Sequence, residues 1–150
     1  MKTIAINKKA SFNFNISEKI EVGLVLTGSE VRSLRLNSAS IKESYISEKK
    51  SELWLNNCHI SNYEKSSQKT FEPTRNRKIL VTKKEKLKII NSTNKQGYTA
   101  IPISLYFNKR GFAKILIGIG KGKRLVDKRQ SIKNKEWNIQ KQRLLKKKNR

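Results

Sequence analysis

Cysteine and histidine are almost missing from this chain: among its 150 residues, Cys58 and His59 are the single example of each. One cysteine excludes an intramolecular disulfide and fits a reducing compartment. The two side by side make at most half of a zinc site, which takes three or four ligands, so no metal is expected. Cys58 lies in an alternating, strand-like run and reads as a small buried thiol. A single histidine leaves no His–carboxylate–nucleophile set. Acids are scarce as well, 11 against 35 lysines and arginines, and they are scattered without an evident pair for proton transfer or metal chemistry. No enzymatic activity, catalytic residue or cofactor is therefore expected. No apolar run approaches the ~18 residues of a membrane span, and no signal-peptide apolar block follows the start. The expectation is a cytoplasmic monomer without membrane attachment.

What is abundant is positive charge. The net charge is +24 and the pI about 10.4, past the basic threshold typical of nucleic-acid-binding domains. Residues 121–150 hold 13 lysines and arginines against Asp127 and Glu136, and so carry +11 of that total. A segment this cationic repels itself and needs a polyanion, for which nucleic acid is the abundant choice. Ile132, Trp137, Ile139, Leu144 and Leu145 are threaded through the charge. That mixture suggests a tail that is disordered when free and orders on its target. Residues 132–145 contain no glycine or proline and are rich in helix formers. Ile132 with Ile139, and Trp137 with Leu144, each align at i, i+7 but on different sides, which argues against a coiled-coil seam. A helix in a phosphate-lined groove, with Trp137 free to stack, fits better.

The remainder, residues 1–120, can bury one modest core and reads mostly as strands. Phe12, Phe14 and Ile16 alternate with asparagines, and Val22, Leu24 and Leu26 follow at the same period of two. Ile41, Tyr45 and Ile46 lead into a charged turn at 48–52, after which Leu53, Leu55 and Ile60 continue the pattern. A short strand is expected at 78–81. Residues 100–107 and 112–119 flank Asn108, Lys109, Arg110 and Gly111, a polar turn ending in glycine, and predict a hairpin. Two helices interrupt. One spans 29–36, with Val31 and Leu34 on one face and Asn37 as its stop. The other opens at Thr82 with Glu85 at capping-box spacing, turns Leu87 and Ile90 inward, and ends at 91–94. Many short strands and two small helices predict a mainly β fold: an OB-like closed antiparallel β-barrel, residues 1–120, followed by the basic tail, residues 121–150. A split α+β sheet is the alternative.

Gly118, Ile119, Gly120, Lys121, Gly122 and Lys123 resemble a phosphate loop, but neither Gly-Lys pair has the glycine five positions earlier or a following Ser or Thr. Lys123 also stands where a dinucleotide fingerprint needs its third glycine. The run reads instead as a flexible strand exit that offers backbone amides, Lys121 and Lys123 to phosphate. Arg75, Arg77 and Lys78 concentrate cations before a strand, and a guanidinium can donate two hydrogen bonds at once to phosphate. A solvated basic loop is the plainer explanation, and the total charge favours RNA. Asn7, Lys8 and Lys9 form a second basic cluster. Glu30 starts a helix, where it complements the dipole; alternatively it orients Arg32 or Arg35, or accepts from a base edge.

Several of these runs occur together in a known pattern. Gly28-Ser29-Glu30-Val31-Arg32-Ser33-Leu34-Arg35, Pro73-Thr74-Arg75-Asn76-Arg77-Lys78, and Gly120-Lys121-Gly122-Lys123-Arg124 followed by Asp127-Lys128-Arg129 appear in order. Ile132-Lys133 and Glu136-Trp137 complete it. Over nearly its whole length the chain resembles the SsrA-binding protein family, also called small protein B. The resemblance implies an OB-like barrel that binds the transfer-RNA-like domain of transfer-messenger RNA (SsrA). It implies delivery of that RNA, with elongation factor Tu, to stalled ribosomes for trans-translation, and a tail that folds as a helix in the empty messenger channel near the small-subunit decoding centre. By position, Asn7, Lys8 and Lys9 match the family's amino-terminal motif, Glu30 and Arg35 its acidic and basic pair, and Arg75, Arg77 and Lys78 its basic loop. Asp127, Lys128 and Arg129 open the ribosomal segment, with Ile132, Lys133, Glu136 and Trp137 inside its helix. Phe71 stands where a histidine is frequent, and Leu144-Leu145 where another apolar pair is common; both keep size and polarity. The competing expectation is a basic ribosomal protein with a static rRNA-binding tail.

Overall fold

Ile20, Val22 and Leu24 alternate along the longest strand and send one face of the sheet into the core. In the computed structural model, which describes residues 1–66 and 70–149, the chain runs β1 (Lys2–Ile6), α1 (Ala10–Asn13), β2 (Phe14–Leu24), α2 (Gly28–Arg35), β3 (Ala39–Ser40), β4 (Tyr45–Lys49), β5 (Glu52–Asn56) and β6 (His59–Ile60). It continues with β7 (Arg77–Leu80), α3 (Lys83–Thr93), β8 (Tyr98–Phe107), β9 (Ala113–Gly122) and α4 (Leu125–Lys148). Seven strands form one antiparallel sheet in the order β1-β8-β9-β2-β7-β5-β4, and β3 pairs with β6. The fold is mainly β with helices, as expected. Val22, Leu24, Leu34, Leu55, Ile60, Ile79, Leu105, Ile115 and Ile117 meet in a single core. Cys58 lies fully buried in it, matching the reading as a core thiol.

The expected barrel is not closed. The sheet curls until β4 lies beside β8, yet no ladder joins them among the described residues, and β1 and β4 remain edges. The seam has a local cause. On its outer edge β8 pairs with β1 only as far as Ile6↔Ser104. Beyond that, Asn7 takes the next carbonyls: its backbone N–H donates to Ile103 O at 2.8 Å and its Nδ2 to Pro102 O at 3.2 Å. Pro102 has no N–H to offer. A four-residue helix, α1, also replaces the strand expected around Phe12.

Local signals in the helices hold. Thr82 and Glu85 form a reciprocal capping box at α3, and α2 carries a second one, Thr27 with Glu30. Asn37 ends α2 in the left-handed region, φ 57°. Inside α3 the inward residue is Ile89 with Ile90 half-buried, whereas Leu87 faces solvent. The 48–52 turn is a two-residue hairpin in which Lys50 and Ser51 both have positive φ, 52° and 60°. That mirror-image turn favours asparagine and glycine. Lys50→Asn with Ser51→Gly should therefore stabilise the fold by about 1 kcal/mol, read as a higher urea midpoint; an unchanged midpoint would show that the turn carries no strain.

Gly118, Gly120 and Gly122 are not a flexible exit. All three lie in β9, and Gly120 pairs with Ile16 on one side and Thr99 on the other. A Cβ on Gly120 would stand 2.5 Å from Asn15 O and 3.0 Å from Ile16 Cα, so glycine is required by backbone approach.

The tail also differs from expectation. Disorder of the free segment is not what the structure shows: residues 125–148 form one helix of 24 residues, ~36 Å long. Helix-forming side chains, Asp127 in the first turn and Lys146, Lys147 and Lys148 in the last account for it locally. At its root the helix meets the sheet domain: α4 contacts α1, Lys123 N–H donates to Asn13 O at 2.9 Å, and Lys123 Nζ reaches Ser131 Oγ at 3.4 Å. Arg150, the last residue of the expected tail, lies outside the described residues.

Candidate nucleic-acid interface

The expected RNA-binding residues fall into two groups at opposite ends of β2, an 11-residue strand spanning roughly 30 Å. At its start lie Lys8 and Lys9, exposed beside α1, and Lys121, exposed near the end of β9, while Lys123 is half-buried. Asn7 belongs here by position, but it is buried, with its backbone N–H and Nδ2 donating to β8 and its Oδ1 without a partner among the described residues. At the other end, α2 and the loop before β7 bring together Glu30, Arg75 and Arg77.

This second group is a buried ionic network rather than an open contact surface. Glu30 is 1 % exposed and Arg77 fully buried, whereas Arg75 keeps 37 % of its side chain in solvent. Arg77 Nε donates to Glu30 Oε2 and Arg75 Nη2 to Glu30 Oε1. The rest of the Arg77 guanidinium donates to Cys58 O at 2.6 Å, Pro73 O at 3.0 Å and Arg75 O at 3.1 Å. Burial raises the Glu30 pKa, but the Thr27 N–H and the two arginines outweigh it and hold the carboxyl below its ordinary value. Burial pushes the Cys58 thiol up, against the opposing pull of Arg77. Glu30 and Arg77 therefore present almost no surface in this structure. They pin the 73–77 loop to α2 and present Arg75. Arg35 is exposed in the last turn of α2, and Arg32 is exposed with its guanidinium 5.7 Å from the centre of the Tyr63 ring.

Lys78 does not join Arg75 and Arg77. Strand alternation turns it to the outer face, where it pairs with Glu52 at 3.9 Å. That face holds residues the sequence reading missed. Gly23 pairs with Lys114 on β9 and with Leu80 on β7, so the two flank a floor without a side chain. Tyr106, opposite Lys114, reaches across β9 and donates its hydroxyl to Glu21 Oε2. Burial, then the Glu21 carboxylate, push the Tyr106 phenol up to about 12. Leu80 is half-exposed on this polar face, and Trp54 stands opposite Lys78. An apolar and aromatic surface set among lysines is chemistry suited to bases and phosphates together. One signal was available: Leu80 is out of phase with the inward Ile79.

Charge pairing leaves most cations free. The ion pairs among the described residues involve Arg75, Arg77, Lys78, Lys86 and Lys88, and none reaches α4. Along α4, Ile132, Trp137, Leu144 and Leu145 are all exposed, as are Asp127, Arg129, Lys133 and Glu136, with Lys128 half-buried near the root.

Residues 4–147 match the model of the SmpB protein family. This chain belongs to the SmpB family. Among curated relatives of this SmpB-family chain, the SsrA-binding protein of Wolbachia pipientis subsp. Culex pipiens (strain wPip) is 49% identical, over 97% of this chain and 98% of its own length. That of Rickettsia bellii (strain OSU 85-389) is 50% identical, over 98% and 97%. A solved chain from a structure described as "tmRNA-SmpB: a journey to the center of the bacterial ribosome" superposes with a TM-score of 0.67 at 36% identity, covering 85% of this chain and 92% of that one.

Proposed function

We propose that this SmpB-family protein is a non-enzymatic adaptor that binds the tRNA-like domain of transfer-messenger RNA and delivers it to stalled ribosomes for trans-translation. The sheet domain, residues 1–120, grips the RNA through exposed cations at both ends of β2 and the Leu80–Lys114 face between them. The basic segment, residues 121–150, enters the empty messenger channel near the decoding centre, and elongation factor Tu joins through the RNA. The reading is carried by near full-length similarity to SsrA-binding proteins. It is supported by a solved neighbour whose description couples tmRNA, SmpB and the bacterial ribosome, and by an α4 whose cations enter no ion pair among the described residues.

Purified protein should copurify with one small stable RNA and leave ribosomes in high salt; a ribosomal protein would stay bound. Affinity should fall steeply with salt, because each neutralised phosphate releases counterions. Arg35→Ala should weaken binding to the transcribed tRNA-like domain by about five- to tenfold without lowering the unfolding midpoint, since the side chain is exposed. Equal gel-shift affinities would remove Arg35 from the interface.

A further inference from the structure

The tip of the β8–β9 hairpin carries an exposed aromatic ring that the site above does not use. Phe112 is 63 % exposed, which leaves the face of its ring open to stacking. Lys109 and Arg110, beside it in the turn, are also exposed, and neither enters an ion pair among the described residues. The tip is rigid. Asn108 Oδ1 accepts the N–H of Arg110 at 3.0 Å and of Phe112 at 2.9 Å. Asn108 N–H donates to Phe112 O and Gly111 N–H to Asn108 O, each at 3.0 Å. Gly111 supplies the positive φ, 82°, that closes the turn. Phe112 precedes Lys114 by two residues, while Ala113 packs toward the core and Ile115 is buried in it. It therefore continues the outer face of Lys114, Tyr106 and Leu80.

We propose that this tip is a stacking finger for RNA: Phe112 takes the face of one unpaired base, and Lys109 and Arg110 hold the phosphates beside it. The inference rests on the RNA-binding reading above and extends its surface to the hairpin end. An exposed ring beside two cations that enter no ion pair among the described residues matches a nucleotide, which offers a flat apolar face joined to a negative charge. A protein partner would gain nothing from the cations unless it were acidic. Because the turn is already ordered, little conformational freedom is lost on binding.

The test uses the full-length chain and the transcribed tRNA-like domain of transfer-messenger RNA at physiological salt. Phe112→Ala should raise Kd about tenfold, equivalent to ~1.4 kcal/mol. Phe112→Leu should lose as much, and Phe112→Tyr should stay within about twofold of wild type. The double change Lys109→Ala with Arg110→Ala should flatten the slope of log Kd against log salt by roughly 1.4–1.8. Wild-type protein that ignores this RNA would overturn both the function and the finger. Wild-type binding with unaltered affinity in Phe112→Ala would overturn the finger alone. Full affinity in Phe112→Leu would replace stacking by simple apolar contact and so refute the proposal. Should Phe112→Ala unfold, the leucine variant and the salt slope of the double variant decide.

Discussion

Replacing Glu30 with alanine is expected to destabilise the protein by about 3–5 kcal/mol, because it leaves the guanidinium of Arg77 buried without its counter-charge. Arg77 would retain three carbonyl partners, Cys58, Pro73 and Arg75, but carbonyl dipoles do not neutralise a full charge in the core. Loss of the capping-box carboxylate adds to the cost, since Thr27 N–H loses its acceptor. Urea denaturation at neutral pH measures the effect; a loss below about 1 kcal/mol would show the carboxylate to be dispensable. Combining Glu30→Leu with Arg77→Met should recover much of the stability, because a buried ion pair can be exchanged for apolar groups of similar volume. It should not recover RNA affinity, since Arg75 would have lost the group that holds it. The pH dependence has a definite sign. Glu30 titrates below its ordinary value of 4.5 in the fold, so its contribution is complete above that value and is lost as pH falls through the lower folded one. Wild type should thus lose stability below about pH 4.5 in excess of Glu30→Ala.

Truncation after Asp127 should leave binding to the tRNA-like domain within a few-fold of wild type and abolish tagging on stalled ribosomes. Among the described residues the helix supplies no member of the core and no strand partner, so its removal exposes little core and disturbs no strand. It does remove the exposed Ile132, Trp137, Leu144 and Leu145. Paired gel-shift and in vitro tagging assays separate the two activities, and a truncated protein that still tags would refute the division of labour. Trp137→Ala should reproduce the same asymmetry in weaker form.

Short-range features were legible in the residues. Thr82 with Glu85, the turn at 108–111 and the stop at Asn37 each depend on partners a few positions away, and local chemistry decides them. The family was legible for another reason: several separated motifs stood in register. What failed was long-range. Closure of the barrel is prevented by Asn7, which sits next to Lys8 and Lys9 and so looked like a surface residue, while its partner Pro102 lies 95 positions away. Glu30 could be placed at a helix start, but its pairing with Arg75 and Arg77, 45 and 47 positions on, cannot be seen from spacing. Gly120 looked flexible because glycine usually is, whereas here the missing Cβ admits a neighbouring backbone. Leu80 and Phe112 escaped notice because a lone apolar residue acquires meaning only when the sheet shows which side it faces.

The pairing of the earliest strands with the latest has a consequence for biosynthesis. Lys2 is matched to Phe107 and Phe14 to Gly122, so β1 and β2 must wait, without their main partners, until well over half of the chain has been made. Folding dominated by such distant pairings is slow and arrives late. A message for this protein broken before β9 would yield a polypeptide without the strand that joins β8 to β2, leaving the sheet in two parts and open to proteolysis.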